Sequence, residues 1–353
     1  MKLPLQSPPK SLCLLRLSAI GDVCHVLPTL RILQNSWPKT KITWIIGKTE
    51  FDLVKDIPDI EFIIFDKKKT WKSHVDLWKT LRGRRFDLLL HMQVSLRASL
   101  ASLAVKTPIR LGFDHKRAKN YQWLFTNQKI AATPGQHVLD SFLEFPKVLG
   151  LNTDSVVWDI PIPEAAMNRA KKLLPQDRPF LAINPCSSVR TRNYRNWNTE
   201  SYAKIIDFAA EKHNMTTVLT GGPSEMERTY ALAIERKSTH KPINLVGKTS
   251  LKELLAVLQF ARIAIAPDTG PAHLATSLHT PVIGLYATSN PERTGPYLNP
   301  ELTVNKYPEA VQNELKKSVT EVSWGKRVRN PTVMGLITVE EVMGKLQQAV
   351  SLS

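Results

Sequence analysis

Three short stretches in the second half of this chain combine small, hydroxyl-bearing and charged residues in an order suited to holding an anion. The most informative is Arg262–Ser277, which reads as a buried strand, a tight turn and a helix. Pro271 is tolerated in the first helical turn, where its missing N–H would be unpaired in any case. Asp268 or Thr269 can cap that helix, and Gly270 allows the backbone to approach a ligand closely. Free N–H groups at Thr269, Gly270 and Ala272, at the positive end of the helix dipole, favour a phosphate, and His273 follows at the same mouth. A plain capped helix with a surface histidine would carry the same residues.

The second stretch, Asn184-Pro-Cys-Ser-Ser188, offers hydroxyls and turn amides, and the third, Gly221-Gly-Pro-Ser-Glu225, offers glycines and a carboxylate. Converging, the three suit a nucleotide diphosphate with attached polar groups. The second half has neither G-x-G-x-x-G nor G-x-x-x-x-G-K-[ST], so it carries no dinucleotide fingerprint and no Walker loop. Near the N-terminus, Ser18-Ala-Ile-Gly-Asp-Val23 forms a tight loop after the strand-like run Ser11–Leu17. Asp22 thus lies at a strand-to-helix mouth, where α/β sheets place ligands, although a carboxylate there also complements a helix N-terminus.

The elements that position these residues alternate. Helical spacing of Val23, Val26, Leu27, Leu30 and Leu33 follows the first strand, and strands are expected at 42–46, 61–65, 87–90 and 109–111. A polar stretch at 152–164, punctuated by Pro161 and Pro163, marks a domain boundary. Beyond it strands are expected at 180–183, 216–219, 243–246, 262–266 and 282–286. Ser250 with Glu253, Ser224 with Glu227 and Thr338 with Glu341 match the capping box. The inferred architecture is α/β, two doubly wound Rossmann-like domains facing across a cleft. Residues 1–160 form the first domain and 161–335 the second; a C-terminal helix, 336–353, packs back toward the first.

Composition fits a soluble protein with a sizeable core: 353 residues, 42% hydrophobic and 22% charged. No apolar run approaches the ~18 residues of a membrane span, and Arg16 interrupts the N-terminal apolar stretch that a signal peptide would need. Three cysteines without metal-ligand spacing suggest a reducing, cytoplasmic setting and no metal site. The net charge of +17 is uneven: residues 1–150 hold 24 Lys and Arg against 12 Asp and Glu. Basic clusters stand at Lys67–Lys69 with Trp71 and Lys72, and at Lys116–Lys119. That half is expected to meet something anionic: a phosphorylated substrate, a membrane surface or nucleic acid. Nucleic-acid binding has charge behind it and no recognition motif, so no nucleic-acid partner is expected.

In Ser18-Ala-Ile-Gly-Asp-Val-Cys-His25 and Asp268-Thr-Gly-Pro-Ala-His273, with Arg195-Asn-Trp197 and Gly222-Pro-Ser-Glu225 between them, the chain resembles the ADP-heptose:lipopolysaccharide heptosyltransferases. This is glycosyltransferase family nine, of GT-B fold. The order and spacing of the motifs cover nearly the whole chain. Within the family it is most similar to enzymes adding the first heptose to Kdo (3-deoxy-manno-octulosonic acid) on lipid A.

The resemblance implies an inverting glycosyltransferase without a cofactor or metal, using ADP-heptose as donor and Kdo-lipid A as acceptor. It implies a monomer, peripheral at the inner face of the cytoplasmic membrane. Asp22 matches the general base, buried enough to be useful, and Arg195 a cation that stabilises the departing ADP. Arg190 and Arg192 lie close enough to compete for that role. Ser187, Ser188, Thr269 and Gly270 would hold the diphosphate, Glu225 the nucleoside hydroxyls, and Asp268 and His273 the heptose and phosphates. Ser18, Gly21, Gln93, Arg97, Lys116 and Arg117 would bind the acceptor. Ala19 replaces the family's usual second serine in the first loop. His91-Met-Gln93 stands where many members have an acidic residue before an Ala-Gln pair.

Overall fold

Apolar runs between helix-forming stretches make strand and helix alternate from one end of the chain to the other. The computed structural model describes residues 3–187 and 193–352. They fold into two compact units, Met1–Pro161 and Ile162–Ser353.

The first unit runs β1 (Ser11–Leu15), α1 (Ile20–Ser36), β2 (Lys41–Gly47), α2 (Lys48–Val54), β3 (Ile60–Phe65), α3 (Thr70–Leu81), β4 (Leu88–His91), α4 (Leu96–Ser102), β5 (Ile109–Gly112), β6 (Gln128–Lys129) and α5 (Val138–Val148). Its six strands are all parallel, in the order β3-β2-β1-β4-β5-β6. A parallel sheet covered by helices on both faces reads as continuous apolar runs, and Leu12, Cys13, Leu14 and Leu15 of β1 are fully buried.

The second unit runs α6 (Glu164–Leu173), β7 (Phe180–Ile183), α7 (Thr199–His213), β8 (Thr216–Leu219), α8 (Glu225–Lys237), β9 (Ile243–Asn244), α9 (Leu251–Phe260), β10 (Ile263–Pro267), α10 (Gly270–Ser277), β11 (Val282–Tyr286), α11 (Pro291–Thr294), β12 (Val304–Asn305), α12 (Tyr307–Leu315) and α13 (Val339–Leu352). Its parallel sheet has the order β12-β11-β10-β7-β8-β9. Renumbered from its own first strand, this is the order of the first unit. Each sheet therefore has one point where the winding reverses, between β1 and β4 and between β7 and β10. In open α/β sheets, ligands bind at the carboxyl ends of the strands at such points.

The apolar stripe of the last helix (Val342, Leu346, Ala349) is fully buried in the core of the second unit with Trp197 and Tyr202. One expectation is corrected here. The capping box at Ser224 is only half made. The Ser224 hydroxyl accepts from the Glu227 N–H, but the Glu227 carboxylate takes the Gly222 N–H at 2.9 Å and the Ser224 hydroxyl at 2.6 Å. The boxes at Ser250 and Thr338 form as expected. Cys13, Cys24 and Cys186 are free and buried, and burial pushes each thiol up, Cys186 to about 12.

Candidate active site

At the reversal point of the first sheet, Asp22 sits in the first turn of α1, and its carboxylate accepts from the Ala19 N–H at 3.1 Å. Its main partner is Arg16, 2.5 Å away, the residue directly after β1. Arg16 is buried, donates to the Met92 carbonyl at 2.6 Å and stacks over the Phe142 ring at 5.2 Å. The guanidinium is thus held from two sides, by the segment after β4 and by α5, before it meets the carboxylate, and it aims Asp22. Burial of Asp22, expected from sequence, is not found: its side chain is 38% exposed. Orientation by a buried cation takes the place of burial.

Gln93 follows β4 and clamps the first loop. Its Oε1 accepts from the Leu17 and Ser18 N–H groups at 2.6 and 3.2 Å, and its Nε2 donates to the Ser18 hydroxyl at 3.4 Å. Both Gln93 and Ser18 therefore shape the mouth around Asp22, and Gly21 is buried behind it. His91, at the end of β4, lies between Gln122 and Ser99, and burial pulls its imidazole down to about 3, so it is neutral.

Arg97 is exposed in the first turn of α4, and Lys116 is exposed in the loop after β5. Arg117 differs. Its guanidinium binds Asp114, the Ala131 carbonyl and, at 2.8 Å, Gln136 Oε1, which ties the loop after β5 in place. The basic surface is also smaller than composition implies, because Lys67 grips both oxygens of Glu50 at 2.9 Å and Arg84 pairs with Glu61.

At the reversal point of the second sheet, the Asp268 carboxylate gathers three cationic or potentially cationic groups. Arg195 Nη1 lies 3.4 Å away, Arg327 Nη2 3.5 Å and His273 Nε2 3.9 Å. Arg195 also donates to the Asp268 carbonyl and, at 3.1 Å, to Asn193 Oδ1. Burial lowers the pKa of Arg195, and Asp268 opposes the shift; the guanidinium remains charged. Two arginines share one carboxylate, so the mouth carries excess positive charge, as a diphosphate requires. Arg327 is not foreshadowed by any motif. It lies on an irregular segment held by a bridge to Ser289, and no spacing rule points to it.

The helix α10 begins at Gly270 as expected, with Pro271 in its first turn, but Thr269 at the cap makes no side-chain capping bond. The Ala272 N–H, expected free, donates to the Thr269 carbonyl at 3.1 Å. Thr269 and Gly270 are partly exposed at the mouth. Ser187 is turned inward: it is 1% exposed, and its hydroxyl donates to Asn193 Oδ1 at 2.7 Å. That bond positions Asn193, which in turn holds Arg195. Ser188, Arg190 and Arg192 lie outside the described residues. Glu225 is exposed at the first position of α8.

Two residues beyond Arg195, the Trp197 ring is fully buried. Its Nε1 donates to the Ile337 carbonyl at 3.0 Å and its ring stacks edge-on against Tyr202. The tryptophan is the anchor that delivers Arg195 to Asp268. Among the described residues no group of three His, Cys, Asp or Glu side chains is placed to hold a metal ion. No described helix is long and apolar enough to cross a membrane.

Residues 74–324 match the family model of glycosyltransferase family 9 (heptosyltransferase). The chain is 40% identical to the lipopolysaccharide core heptosyltransferase OpsX of Haemophilus influenzae, over 96% of this chain and 97% of that one. It is 23% identical to lipopolysaccharide heptosyltransferase 1 of Escherichia coli K12, over 80% and 90% of the two chains. Among solved structures, a family 9 glycosyl transferase from Veillonella parvula superposes with a TM-score of 0.80 at 23% identity, covering 98% of both chains. The E. coli heptosyltransferase WaaC with ADP gives 0.72 at 19% identity, covering 96% and 99%. These likenesses establish the fold as that of the GT-B heptosyltransferases.

Proposed function

The chain belongs to glycosyltransferase family 9, the heptosyltransferases, and from that membership we propose that it moves L-glycero-D-manno-heptose from its ADP derivative to Kdo of lipid A, in assembly of the lipopolysaccharide inner core. The observation that carries this reading is the 40% identity, over nearly the full length of both chains, to a lipopolysaccharide core heptosyltransferase. The two reversal points supply the chemistry.

In the proposed step, Asp22 accepts the proton of the acceptor hydroxyl as that oxygen attacks the anomeric carbon of heptose. The bond from that carbon to the diphosphate oxygen breaks, and ADP leaves with the electron pair. Arg195 and Arg327 meet the charge that grows on the leaving diphosphate, with the Thr269 and Gly270 amides beside them. Attack opposite the leaving group inverts the anomeric centre. Stabilisation of the leaving group falls to these cations. Asp268, freed of part of its arginine contact by the diphosphate, and His273 would orient the heptose, and Glu225 would take the nucleoside hydroxyls. Arg97 and Lys116 would meet acceptor phosphates and carboxylates. The enzyme would work as a monomer, peripheral at the inner face of the cytoplasmic membrane.

The test is incubation with ADP-heptose and Kdo-lipid A, followed by product mass and ADP release. Addition of one heptose is the expected result. Transfer only to an acceptor that already carries heptose would move the enzyme to a later position in the core, and transfer to neither would refute the reading.

A further inference from the structure

Helix α3 has two apolar stripes. Leu77 and Leu81 point into the core of the first unit, whereas Trp71, Val75 and Trp78 are exposed, the two tryptophans at 72% and 56%. At 100° per residue, those three lie within about 60° of one another. Lys72 and Lys79 flank them on the polar side. Helix α4 repeats the arrangement at the same spacing: Ala98 and Ala101 are buried, while Leu96, Leu100 and the following Leu103 face solvent.

These stripes are joined. His74 of α3 stacks on Trp71 and reaches the Arg97 carbonyl of α4 at 3.3 Å. Arg110 donates to the Ser102 and Val105 carbonyls at the end of α4 and to the Phe125 carbonyl, all at 2.8 Å. It thereby fixes α4 to the short turn 121–125, where Tyr121 and Leu124 are also exposed. Asn120 ties the same turn to the Val94 carbonyl, next to Gln93. These bonds hold the exposed apolar residues on adjoining elements of the first unit, and Lys68, Lys69, Lys72, Lys79 and Lys119, close to them in sequence, are exposed as well.

We propose that this α3–α4 face is a membrane-docking surface that seats its tryptophans and leucines in the interfacial layer of an anionic bilayer. Two tryptophans and several leucines exposed on adjoining elements mark an interaction site where they form a patch. Tryptophan beside lysine suits the level of lipid headgroups, where one side of the contact is apolar and the other is wet and negatively charged. The face is continuous with Arg97, at the proposed acceptor side. The inference rests on the membrane-bound acceptor proposed above, and it adds that attachment is by insertion as well as by charge.

The double variant Trp71→Ser/Trp78→Ser tests it, with Leu232→Ser on the second unit as a control, since Leu232 is also exposed. Vesicles of phosphatidylethanolamine and phosphatidylglycerol are sedimented at about 0.15 M and about 1 M salt, where exposed charges are screened beyond about 3 Å. The expected result is wild-type and control binding that partly survives high salt. The double variant should bind at least tenfold more weakly at low salt and not at all at high salt, with an unchanged Tm. Equal sedimentation of all three proteins would overturn the proposal, as would wild-type binding lost entirely at high salt. So would self-association, or single-stranded RNA binding, that needs the two tryptophans in a chain that ignores vesicles. Transfer to a deacylated, water-soluble acceptor separates the two readings: the double variant should retain it, and its absence in wild type would count against the transferase reading while leaving the vesicle result standing.

Discussion

Arg16 and Asp22 make an ion pair of 2.5 Å in which the cation is buried and the carboxylate is not, their side chains being 8% and 38% exposed. The arrangement fits a carboxylate that must meet a substrate while something behind it sets its direction. Asp22→Asn should lower kcat by roughly 100-fold or more, since general-base catalysis commonly supplies about 10²–10⁴, with ADP affinity nearly intact. Arg16→Gln should lower kcat about tenfold through misdirection, again without effect on ADP binding. Steady-state kinetics beside calorimetric ADP titration checks both, and wild-type kcat in Asp22→Asn would remove that residue from the mechanism.

The cations around Asp268 give a different pattern. Arg195→Ala removes a buried charge from the proposed leaving-group site and should cost about 10²–10³ in kcat, the range seen when one stabilising donor is lost. Asp268→Ala should still bind ADP, because two arginines remain, but should fail in heptose transfer. Gly270→Val, which places a branched side chain at the phosphate mouth, should abolish ADP binding with only a small fall in Tm. Normal ADP binding by the valine variant would place the donor pocket elsewhere on the second unit.

Trp197 links stability to the site. Replacing a buried tryptophan by alanine costs about 3–5 kcal/mol, so Trp197→Ala should lower Tm markedly. It should also weaken ADP binding well below the melting transition, because Arg195 loses its anchor two residues away. A lowered Tm with unchanged ADP affinity would confine Trp197 to packing.

His91 predicts a pH dependence of stability. Burial lowers its pKa from 6.5 to about 3 in the fold, so the unfolded chain binds the proton first as pH falls. The contribution is fully present above about pH 6.5 and declines between there and pH 3, at about 1.4 kcal/mol per pH unit. Wild type should therefore lose roughly 2 kcal/mol more than His91→Leu between pH 7 and pH 5. Parallel Tm-against-pH curves for the two proteins would contradict this.

Sequence reading reached the parallel strands because a strand buried on both faces needs no alternation, and β1 and β10 show this as plain apolar runs. It reached Asp22 and Asp268 because a residue just past such a run must lie at the carboxyl edge of the sheet. Arg16 reads from sequence only as a break in an apolar stretch. The Met92 carbonyl that takes its hydrogen bond and holds it behind Asp22 lies 76 residues away. Ser187 and Arg117 carry the right chemistry for ligands, yet the Ser187 hydroxyl is bonded to Asn193 in its own loop and the Arg117 guanidinium to Gln136, beyond β6. Glu227 reads as half of a local box, whereas its carboxylate turns back to Gly222. The two-residue strands β6 and β12 are too short to leave any periodic signal. Local pattern thus locates the edge of a sheet, and long-range pairing decides which side chains there remain available.

The buried cysteines make the native surface silent toward thiol reagents, since only an exposed thiolate reacts readily. A single cysteine introduced at an exposed position such as Leu232 would then be the sole fast-reacting site, and a fluorophore could be attached without first removing the native three. The same thiols become clocks when the protein opens. Cys13 and Cys24 lie in the first unit and Cys186 in the second, so the order in which they become modified under mild denaturant would reveal which half loosens first.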